Sequence, residues 1–317
     1  MRILACSNHH RYPARRFPVS NGGLAGSRVL DAIVKGLAEL GHEVLYCLPK
    51  GAVEPLPAGV AMVSELVRGV DIVHHQNNDL VDDLDIADMP WVRTCHTDLA
   101  VRGQDRRHAK RNWIFVSRTL ASAYGSDRFV LNGIDPSEYA YSETKGDYIL
   151  FMADLARAKR KGLDIALSLC RKIGFTLVIA GSAAKQEAID EMRRLCAGLD
   201  VRLIGEVMGS EKAELLAGAR ALLFPTRINE AFGLVMAEAL MSGTPVICSD
   251  RGACAELISP EVGFVCRSED EYPGAFAHLD RISPRACREK ALRNYHYLRM
   301  AADYVREYQA ELGRVSA

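Results

Sequence analysis

The stretch 229–256, NEAFGLVMAEALMSGTPVICSDRGACAE, contains the signals of a helix followed by a strand. Gly233 stands at the start of the helical segment, and Gly243 stands just past its end with Pro245 behind it. These are typical start and stop signals of a helix. Val246-Ile247-Cys248 is typical of a short buried strand. The stretch therefore predicts a loop, an amphipathic helix, a turn and a strand, with helical apolar spacing at Phe232, Val235, Met236, Ala239 and Leu240.

Two glutamates accompany this helix. Glu230 precedes it, where free backbone N–H groups and the positive end of the helix dipole favour an anion. Glu238 comes eight residues later, and a rotation of about 100° per residue puts it on nearly the same side. A diphosphate could rest on the helix end, with one carboxylate binding sugar hydroxyls and the other a ribose. The alternative interpretation is a solvated helix face.

The segment from Glu230 to Glu238 resembles the Glu-x7-Glu signature of the retaining glycosyltransferases of family 4, which have the GT-B fold. The following GTPVICSDRGACAELI is similar to that family as well, although Ala231 stands where the family has Pro. The resemblance implies two Rossmann-like α/β domains facing across a cleft, with a C-terminal helix that crosses back to the N-terminal domain. It also implies donor binding at Phe232, Gly233 and Leu234.

Length and composition fit a globular protein of two domains, since 317 residues can bury two cores. Lys plus Arg equals Asp plus Glu at 40 each, so no global field indicates nucleic acid as a partner. The nine cysteines lack any C-x-x-C pair, which favours reduced thiols over disulfides or a zinc site. No signal peptide or membrane-spanning run is recognised. We expect a cytoplasmic protein, with peripheral contact to the inner membrane face as an alternative.

Strands and helices alternate in two successive series, which predicts two parallel sheets. We expect an acceptor-side domain over residues 1–143 and a nucleotide-sugar domain over 144–294. By the resemblance, a helix over 295–317 packs on the N-terminal domain. A dinucleotide oxidoreductase would need G-x-G-x-x-G directly after the first strand, but here Gly22 and Gly23 follow a long loop.

Two features of the first domain are candidate site residues. Gly22 and Gly23 begin a helix at the carboxyl edge of the sheet, where glycine lets backbone amides approach a donor phosphate. A plain helix start is the alternative. His96 follows a strand in WVRTCHTDL, and the resemblance implies a catalytic histidine near the transferred sugar. Asp98 is a candidate to orient it, whereas His74 and His75 are interpreted as structural.

The loop ADLARAKRKGLD departs from the family pattern. The family has Gly-Arg-Leu and then Lys-Gly, whose cations neutralise the donor diphosphate; Lys161 matches, but Asp154 replaces the arginine. Because an aspartate repels phosphate, we expect another cation of the loop to substitute, Arg157 first, then Lys159 or Arg160. The competing hypothesis is a non-catalytic sugar-nucleotide-binding subunit with a degenerate phosphate site.

Three further elements have weaker signals. Gly205 and Glu206 resemble the family loop that packs on the nucleotide base, mostly through backbone groups, so the base stays open. The Asn-Gly-Ile-Asp element at 132–135 resembles a structural turn of the family. A basic run predicts either contact with an anionic membrane or acceptor, or a solvated face balanced by nearby aspartates: Arg102, Arg106, Arg107, Lys110 and Arg111.

The sequence thus predicts a retaining transfer of a hexosyl group from a UDP- or GDP-linked sugar to a glycan, lipid or small-molecule acceptor. His96, Glu230 and Lys161 are the predicted catalytic residues. We expect no metal site and no cofactor beyond the sugar-nucleotide substrate, because cationic side chains and helix-end amides would stabilise the leaving group.

Overall fold

The structure is a computed structural model that describes residues 1–6, 14–16, 25–47, 52–76, 86, 88–182 and 186–315. The chain forms two compact units: the first comprises Met1–Asp135 and Asn294–Ala317, and the second comprises Pro136–Arg293. The first boundary thus lies between residues 135 and 136, whereas the sequence analysis placed it between residues 143 and 144. Residues 132–135 belong to the first unit because Ile134 is bonded to the start of the last helix. The Ile134 N–H donates to the Tyr295 carbonyl at 2.8 Å, and the Ile134 carbonyl accepts from the Tyr297 N–H at 3.1 Å.

The described strands and α-helices alternate along both units. The strands are β1 (Arg2–Cys6), β2 (Ala14–Arg16), β3 (Glu43–Cys47), β4 (Ala52–Glu54), β5 (Val60–Val63), β6 (Ile72–His75), β7 (Trp91–Cys95), β8 (Trp113–Phe115), β9 (Tyr148–Met152), β10 (Thr176–Ala180), β11 (Val201–Gly205), β12 (Ala221–Phe224), β13 (Val246–Ser249) and β14 (Gly263–Cys266). The helices are α1 (Ala25–Glu39), α2 (Arg118–Ser122), α3 (Leu163–Ile173), α4 (Gln186–Leu195), α5 (Gly209–Gly218), α6 (Leu234–Met241), α7 (Cys254–Leu257), α8 (Tyr272–Ala277), α9 (Pro284–Asn294) and α10 (Tyr297–Val315).

Each unit contains a six-stranded parallel sheet. The first has the order β5-β3-β1-β6-β7-β8, and a separate pair joins β2 to β4. The second has the order β11-β10-β9-β12-β13-β14. Central strands such as β12 and β13 are buried along their whole length, as expected of parallel strands with both faces covered. The predicted fold class, two Rossmann-like α/β domains, is confirmed.

The C-terminal helix α10 packs on the first unit, as predicted, and lies against α1. Two of its tyrosines, Tyr304 and Tyr308, form a buried polar chain with His74 and Thr94. His74 Nδ1 lies 2.5 Å from the hydroxyl of Tyr308, and its Nε2 lies 2.7 Å from the hydroxyl of Thr94. The Thr94 hydroxyl in turn lies 2.7 Å from that of Tyr304. His74 therefore joins the middle of the sheet to the last helix, which agrees with its interpretation as structural.

Helix α6 differs from the amphipathic helix that the sequence predicts. Every residue from Met236 to Met241 is buried, Glu238 included. The helix begins only at Leu234, after Gly233 in a left-handed conformation, so Glu230 lies in the preceding loop. Helical rotation therefore does not relate the two glutamates. The helix is enclosed because it packs on β12, β13 and α5 together.

Within the described part of the chain, no helix combines the length and the apolar character needed to cross a bilayer.

Burial of the histidines predicts acid sensitivity. Desolvation lowers the pKa of His74 to about 3 and that of His75 to about 3, from an ordinary 6.5. Between those values the unfolded chain binds protons that the folded chain does not, so stability falls as pH falls below about 6.5. The slope is at most about 1.4 kcal/mol per pH unit for each histidine.

The His74→Gln variant tests this, because glutamine can keep hydrogen bonds to Tyr308 and Thr94 but does not titrate. We expect its urea-unfolding midpoint to fall less between pH 7 and pH 5 than that of the wild type. His108→Gln, the same substitution at an exposed histidine, supplies the control. Equal acid sensitivity of His74→Gln and the wild type would contradict the assignment.

Candidate functional site

The carboxyl edge of the second sheet holds the candidate site. The chain runs from β9 to β10 and β11 on one side of the sheet, and β12 then pairs with the other side of β9. The loops after β9 and β12 thus leave in opposite directions. Open α/β sheets bind ligands at such a switch point. Lys161 lies in the loop after β9, and Glu230 lies in the loop after β12.

These two side chains form an ion pair. Lys161 Nζ donates to Oε1 of Glu230 at 2.5 Å, with exposed fractions of 18% and 9%. The hydroxyl of Thr226 donates to the same oxygen at 2.9 Å. The Lys161 ammonium also lies 5.2 Å from the ring centroid of Phe224, at the end of β12. The structure therefore brings together two of the three predicted catalytic residues.

Glycines let the loops of this edge approach one another closely. Gly252 forms a parallel bridge with Glu230, and a Cβ at Gly252 would meet the Glu230 backbone N and O at 2.3 Å. A Cβ at Gly162, directly after Lys161, would meet the Pro225 carbonyl at 1.9 Å. Both glycines also have positive φ, of 61° and 81°. The backbone that carries the ion pair is thus fixed by main-chain packing.

The start of α6 lies four residues after Glu230. Gly233 caps the helix in a left-handed conformation with φ 85° and supplies no side-chain cap. Of the other two residues predicted to bind a donor here, Phe232 is buried and Leu234 is half-buried. The first-turn amides of α6 therefore sit at the positive end of the helix dipole, beside the loop of Glu230.

Glu238 is held by partners inside the second unit. Lys212 of α5 pairs with its Oε2 at 2.8 Å, and the Tyr139 hydroxyl donates to its Oε1 at 3.0 Å. The exposed fractions of Lys212 and Glu238 are 8% and 2%. A ribose that binds Glu238 would have to share these partners. The ribose role stays a prediction.

The predicted phosphate loop, residues 153–164, shows what Asp154 does in place of an arginine. Its Oδ1 accepts from the Ala156 N–H at 3.0 Å and caps the 3-10 helix Leu155–Arg157. Its Oδ2 lies 3.8 Å from Nε of Arg157, whose side chain is 69% exposed. Asp154 therefore orders the turn that carries Arg157. Lys159 and Arg160 are exposed.

Other predicted residues lie elsewhere. Gly205 ends β11 with φ 76° and accepts from the Gly181 N–H at 2.7 Å, while Glu206 is exposed. His96 directly follows β7 and is half-buried at the carboxyl edge of the first sheet. Gly22 and Gly23 lie outside the described residues.

Asp98 does not serve mainly to orient His96. Its carboxylate accepts from Arg106 Nε at 3.0 Å, from Arg106 Nη2 at 2.5 Å and from the Tyr124 hydroxyl at 3.0 Å. It also caps the 3-10 helix Leu99–Arg102. Hydrogen bonds from Arg106 are the main cause that lowers the pKa of Asp98. No local sequence pattern indicates the Asp98–Arg106 pair.

The basic run 102–111 is partly neutralised by acids. Arg106 pairs with Asp98 as described, and Arg107 pairs with Asp105 at 2.5 Å while its side chain is 90% exposed. Among the aspartates proposed to balance the run, Asp88 instead pairs with Arg68, and those at 79–85 lie outside the described residues. Contact with a membrane stays a prediction.

Sequence reasoning missed three residues of the site: Thr226, Lys212 and Tyr139. Thr226 directly follows Pro225 at the end of β12, so its position at the carboxyl edge was a usable signal. The sequence has no such signal for Lys212 or Tyr139, because each reaches Glu238 from a distant part of the chain.

The chain thus consists of two Rossmann-like units, and the Lys161–Glu230 ion pair lies at the switch point of the second sheet. A family model described as "Glycosyl transferases group 1" matches residues 146–279, which lie within the second unit. The predicted GT-B fold class is supported by the solved structures that resemble the chain, one of which is a glycosyltransferase.

Two curated relatives from one organism are similar in sequence to part of this chain. A glycogen synthase of Mycobacterium tuberculosis is 30% identical over 44% of this chain and 36% of its own length. A phosphatidyl-myo-inositol mannosyltransferase of the same organism is 26% identical over 62% of this chain and 57% of its own length. The matches thus span between about a third and a little over half of these relatives.

Solved structures match over nearly the whole chain. A glycosyltransferase involved in avilamycin A biosynthesis has a TM-score of 0.80 at 25% identity, covering 99% of this chain and 98% of its own. HepE of Anabaena, solved in complex with UDP and glucose, has a TM-score of 0.71 at 16% identity, covering 98% of this chain and all of its own. Together the comparisons show that the chain has the fold of these solved structures and that its second unit is similar to glycosyltransferases of group 1.

The buried pair of Lys212 and Glu238 predicts a large effect of breaking it. Lys212→Met leaves the Glu238 carboxylate buried without its cation, which costs about 3–5 kcal/mol of unfolding free energy. Lys212→Met combined with Glu238→Gln removes both charges, and we expect most of that stability to return. Urea unfolding at pH 7 measures both variants.

The double variant also tests the ribose role of Glu238. If Glu238 binds the ribose, the double variant should regain stability but bind UDP and GDP more weakly than the wild type in calorimetry. Normal nucleotide affinity in the stable double variant would show that Glu238 has only a structural role.

Proposed function

We propose that the chain is a retaining glycosyltransferase that moves a hexosyl group from a UDP- or GDP-linked sugar to an acceptor hydroxyl. The observation that carries the proposal is the Lys161–Glu230 ion pair at the switch point of the second sheet. The family match to residues 146–279 and the UDP and glucose named for HepE support it.

Lys161 has the donors that a diphosphate needs. An ammonium carries three N–H donors, and within the described chain the one hydrogen-bond partner of Nζ is Glu230. Two donors thus remain for phosphate oxygens. The first-turn amides of α6 add positive potential nearby. These groups stabilise the negative charge that develops as the nucleotide leaves.

Glu230 has an oxygen for the sugar. Its Oε1 accepts from Lys161 and Thr226, whereas Oε2 has no hydrogen-bond partner among the described residues. A carboxylate oxygen accepts hydrogen bonds from hydroxyls, and charged acceptors make the stronger bonds. Oε2 therefore binds a hydroxyl of the transferred hexose, and Lys161 couples the sugar end of the donor to its phosphate end.

In the proposed reaction the bond between the anomeric carbon and the phosphate oxygen breaks. The acceptor oxygen attacks from the same face, and its proton passes to the departing phosphate, so configuration is retained. Lys161 and α6 supply the positive charge, and the reaction is therefore proposed to need no metal. His96 is proposed as a further catalytic residue, on the ground of its place directly after β7 at the carboxyl edge of the first sheet.

A non-catalytic sugar-nucleotide-binding subunit is the second candidate, because Asp154 stands where the family has an arginine. The cap that Asp154 provides to the turn of Arg157 favours the enzyme, since it places a cation three residues along the same loop.

The proposal is tested by assaying UDP-, GDP- and ADP-linked glucose and mannose for release of the nucleotide diphosphate, with and without EDTA. With the preferred donor, Lys161→Ala should lower kcat by roughly 10²–10³, as loss of one oriented donor does. Lys172→Ala, which changes an exposed lysine of α3, is the matched control and should keep full activity.

Nuclear magnetic resonance of the product then shows whether the anomeric configuration is retained. A wild-type protein that binds a nucleotide sugar but releases no nucleotide would favour the non-catalytic subunit. Inversion of configuration, or full loss of activity with EDTA, would contradict the retaining or the metal-independent part of the proposal respectively.

The phosphate loop gives a separate prediction. Arg157→Gln should weaken UDP or GDP binding by about 1.5–3 kcal/mol, the usual worth of a charged hydrogen bond. Arg171→Gln on the exposed end of α3 is the control. Asp154→Asn keeps a capping side chain and removes the negative charge, so affinity should hold or rise. Nucleotide affinity unchanged in Arg157→Gln would show that Arg157 does not replace the family arginine.

A further inference from the structure

Gln76 is a buried polar residue whose side-chain amide makes no hydrogen bond to the described residues. It directly follows β6, and its side chain is fully buried. Neither Nε2 nor Oε1 has a hydrogen-bond partner among the described residues. Leaving a buried donor or acceptor unpaired costs about 1–3 kcal/mol, so folded proteins pair nearly all such groups. The amide is therefore suited to a partner that is not part of the described chain.

The position of Gln76 is the switch point of the first sheet. Its N–H donates to the Cys6 carbonyl at the end of β1 (3.1 Å), so Gln76 lies at the carboxyl end of β6, beside the end of β1. The chain proceeds from β1 to β3 and β5 on one side, and from β6 to β7 and β8 on the other. This is the place in an open α/β sheet where ligands bind. It is a second, independent indication of a ligand.

The neighbours of Gln76 on its face of the sheet already have partners. His75 pairs in register with Arg93, so the next residues, Gln76 and Thr94, share the opposite face. His74 lies two residues before Gln76 on that same face, where it bonds to Thr94 and Tyr308. His96, the predicted catalytic histidine, lies two residues beyond Thr94, just past the end of β7. The Gln76 amide thus shares its face of the sheet with a closed structural network and lies at the same carboxyl edge as His96.

We propose that Gln76 is a specificity-determining residue that binds hydroxyl groups of a polyhydroxylated acceptor, a sugar or a polyol. An amide offers two N–H donors and a carbonyl acceptor, and neighbouring hydroxyls can donate to one and accept from the other. The amide is uncharged, so it selects hydroxyls rather than an anionic group. Its burial strengthens these hydrogen bonds. The inference rests on the proposed function and names the acceptor class of that reaction.

The experiment compares Gln76→Leu with Gln309→Leu, the same substitution at an exposed glutamine of α10. The donor is the nucleotide sugar that the wild type hydrolyses fastest. The acceptors are myo-inositol and methyl α-D-glucopyranoside as polyols, 1-propanol as a single hydroxyl, and water. Calorimetry with myo-inositol measures acceptor binding without turnover.

Gln76→Leu should lower kcat/KM for the polyols by about 10- to 100-fold, the worth of two neutral hydrogen bonds. The KM for the donor, hydrolysis of the donor and transfer to 1-propanol should be unchanged, and myo-inositol should bind more weakly in calorimetry. Gln309→Leu should behave as the wild type. This pattern separates acceptor recognition from a general structural effect, which would change every reaction.

Failure of the inference differs from failure of the proposed function. A wild type that hydrolyses its donor but transfers to no polyol would overturn the polyol acceptor. Equal polyol transfer by Gln76→Leu and Gln309→Leu, with a higher melting temperature of Gln76→Leu, would show that the amide holds buried water only. A wild type without any donor hydrolysis or transfer would instead contradict the proposed function.

Discussion

The ion pair between Lys161 and Glu230 is the contact on which the candidate site depends. It joins loops that leave β9 and β12 in opposite directions, at the place where the order of the second sheet reverses. Two charges held mostly away from water are stable only when they are paired and hydrogen-bonded. Here Thr226 completes the pairing of Glu230, and main-chain packing at Gly162 and Gly252 fixes both loops. The remaining hydrogen-bonding capacity of the pair makes it suited to a ligand with both phosphate and hydroxyl groups.

A second set of buried polar contacts fixes the last helix. The chain His74–Thr94–Tyr304 and the Tyr308 hydroxyl tie α10 to the middle of the first sheet, and buried Arg128 binds Glu307 and Glu311 of the same helix at 2.8 and 3.0 Å. These bonds join residues about 200 positions apart in the sequence. They explain why the first compact unit needs both ends of the chain.

The two sheets use their switch points differently. In the second unit, Lys161 and Glu230 at the switch point carry opposite charges that neutralise each other. This pair is suited to a ligand with a charged group that can replace one of the two as the partner of the other. In the first unit the Gln76 amide is neutral and lacks a partner among the described residues. Glu238 is a buried charge of the second unit that binds Lys212 and Tyr139.

The two α/β series, the helix and strand of the stretch 229–256 and the loop positions of Glu230, Lys161 and His96 could all be predicted from the sequence. These features follow from local signals, because helix stops and buried strands are encoded by neighbouring residues. The enclosure of α6, the pairing of Glu238 with Lys212, the pairing of Asp98 with Arg106 and the unit boundary at Asp135 could be found only in the folded chain. Each of these depends on residues distant in the sequence, and the burial and pairing of a side chain are set by what packs against it.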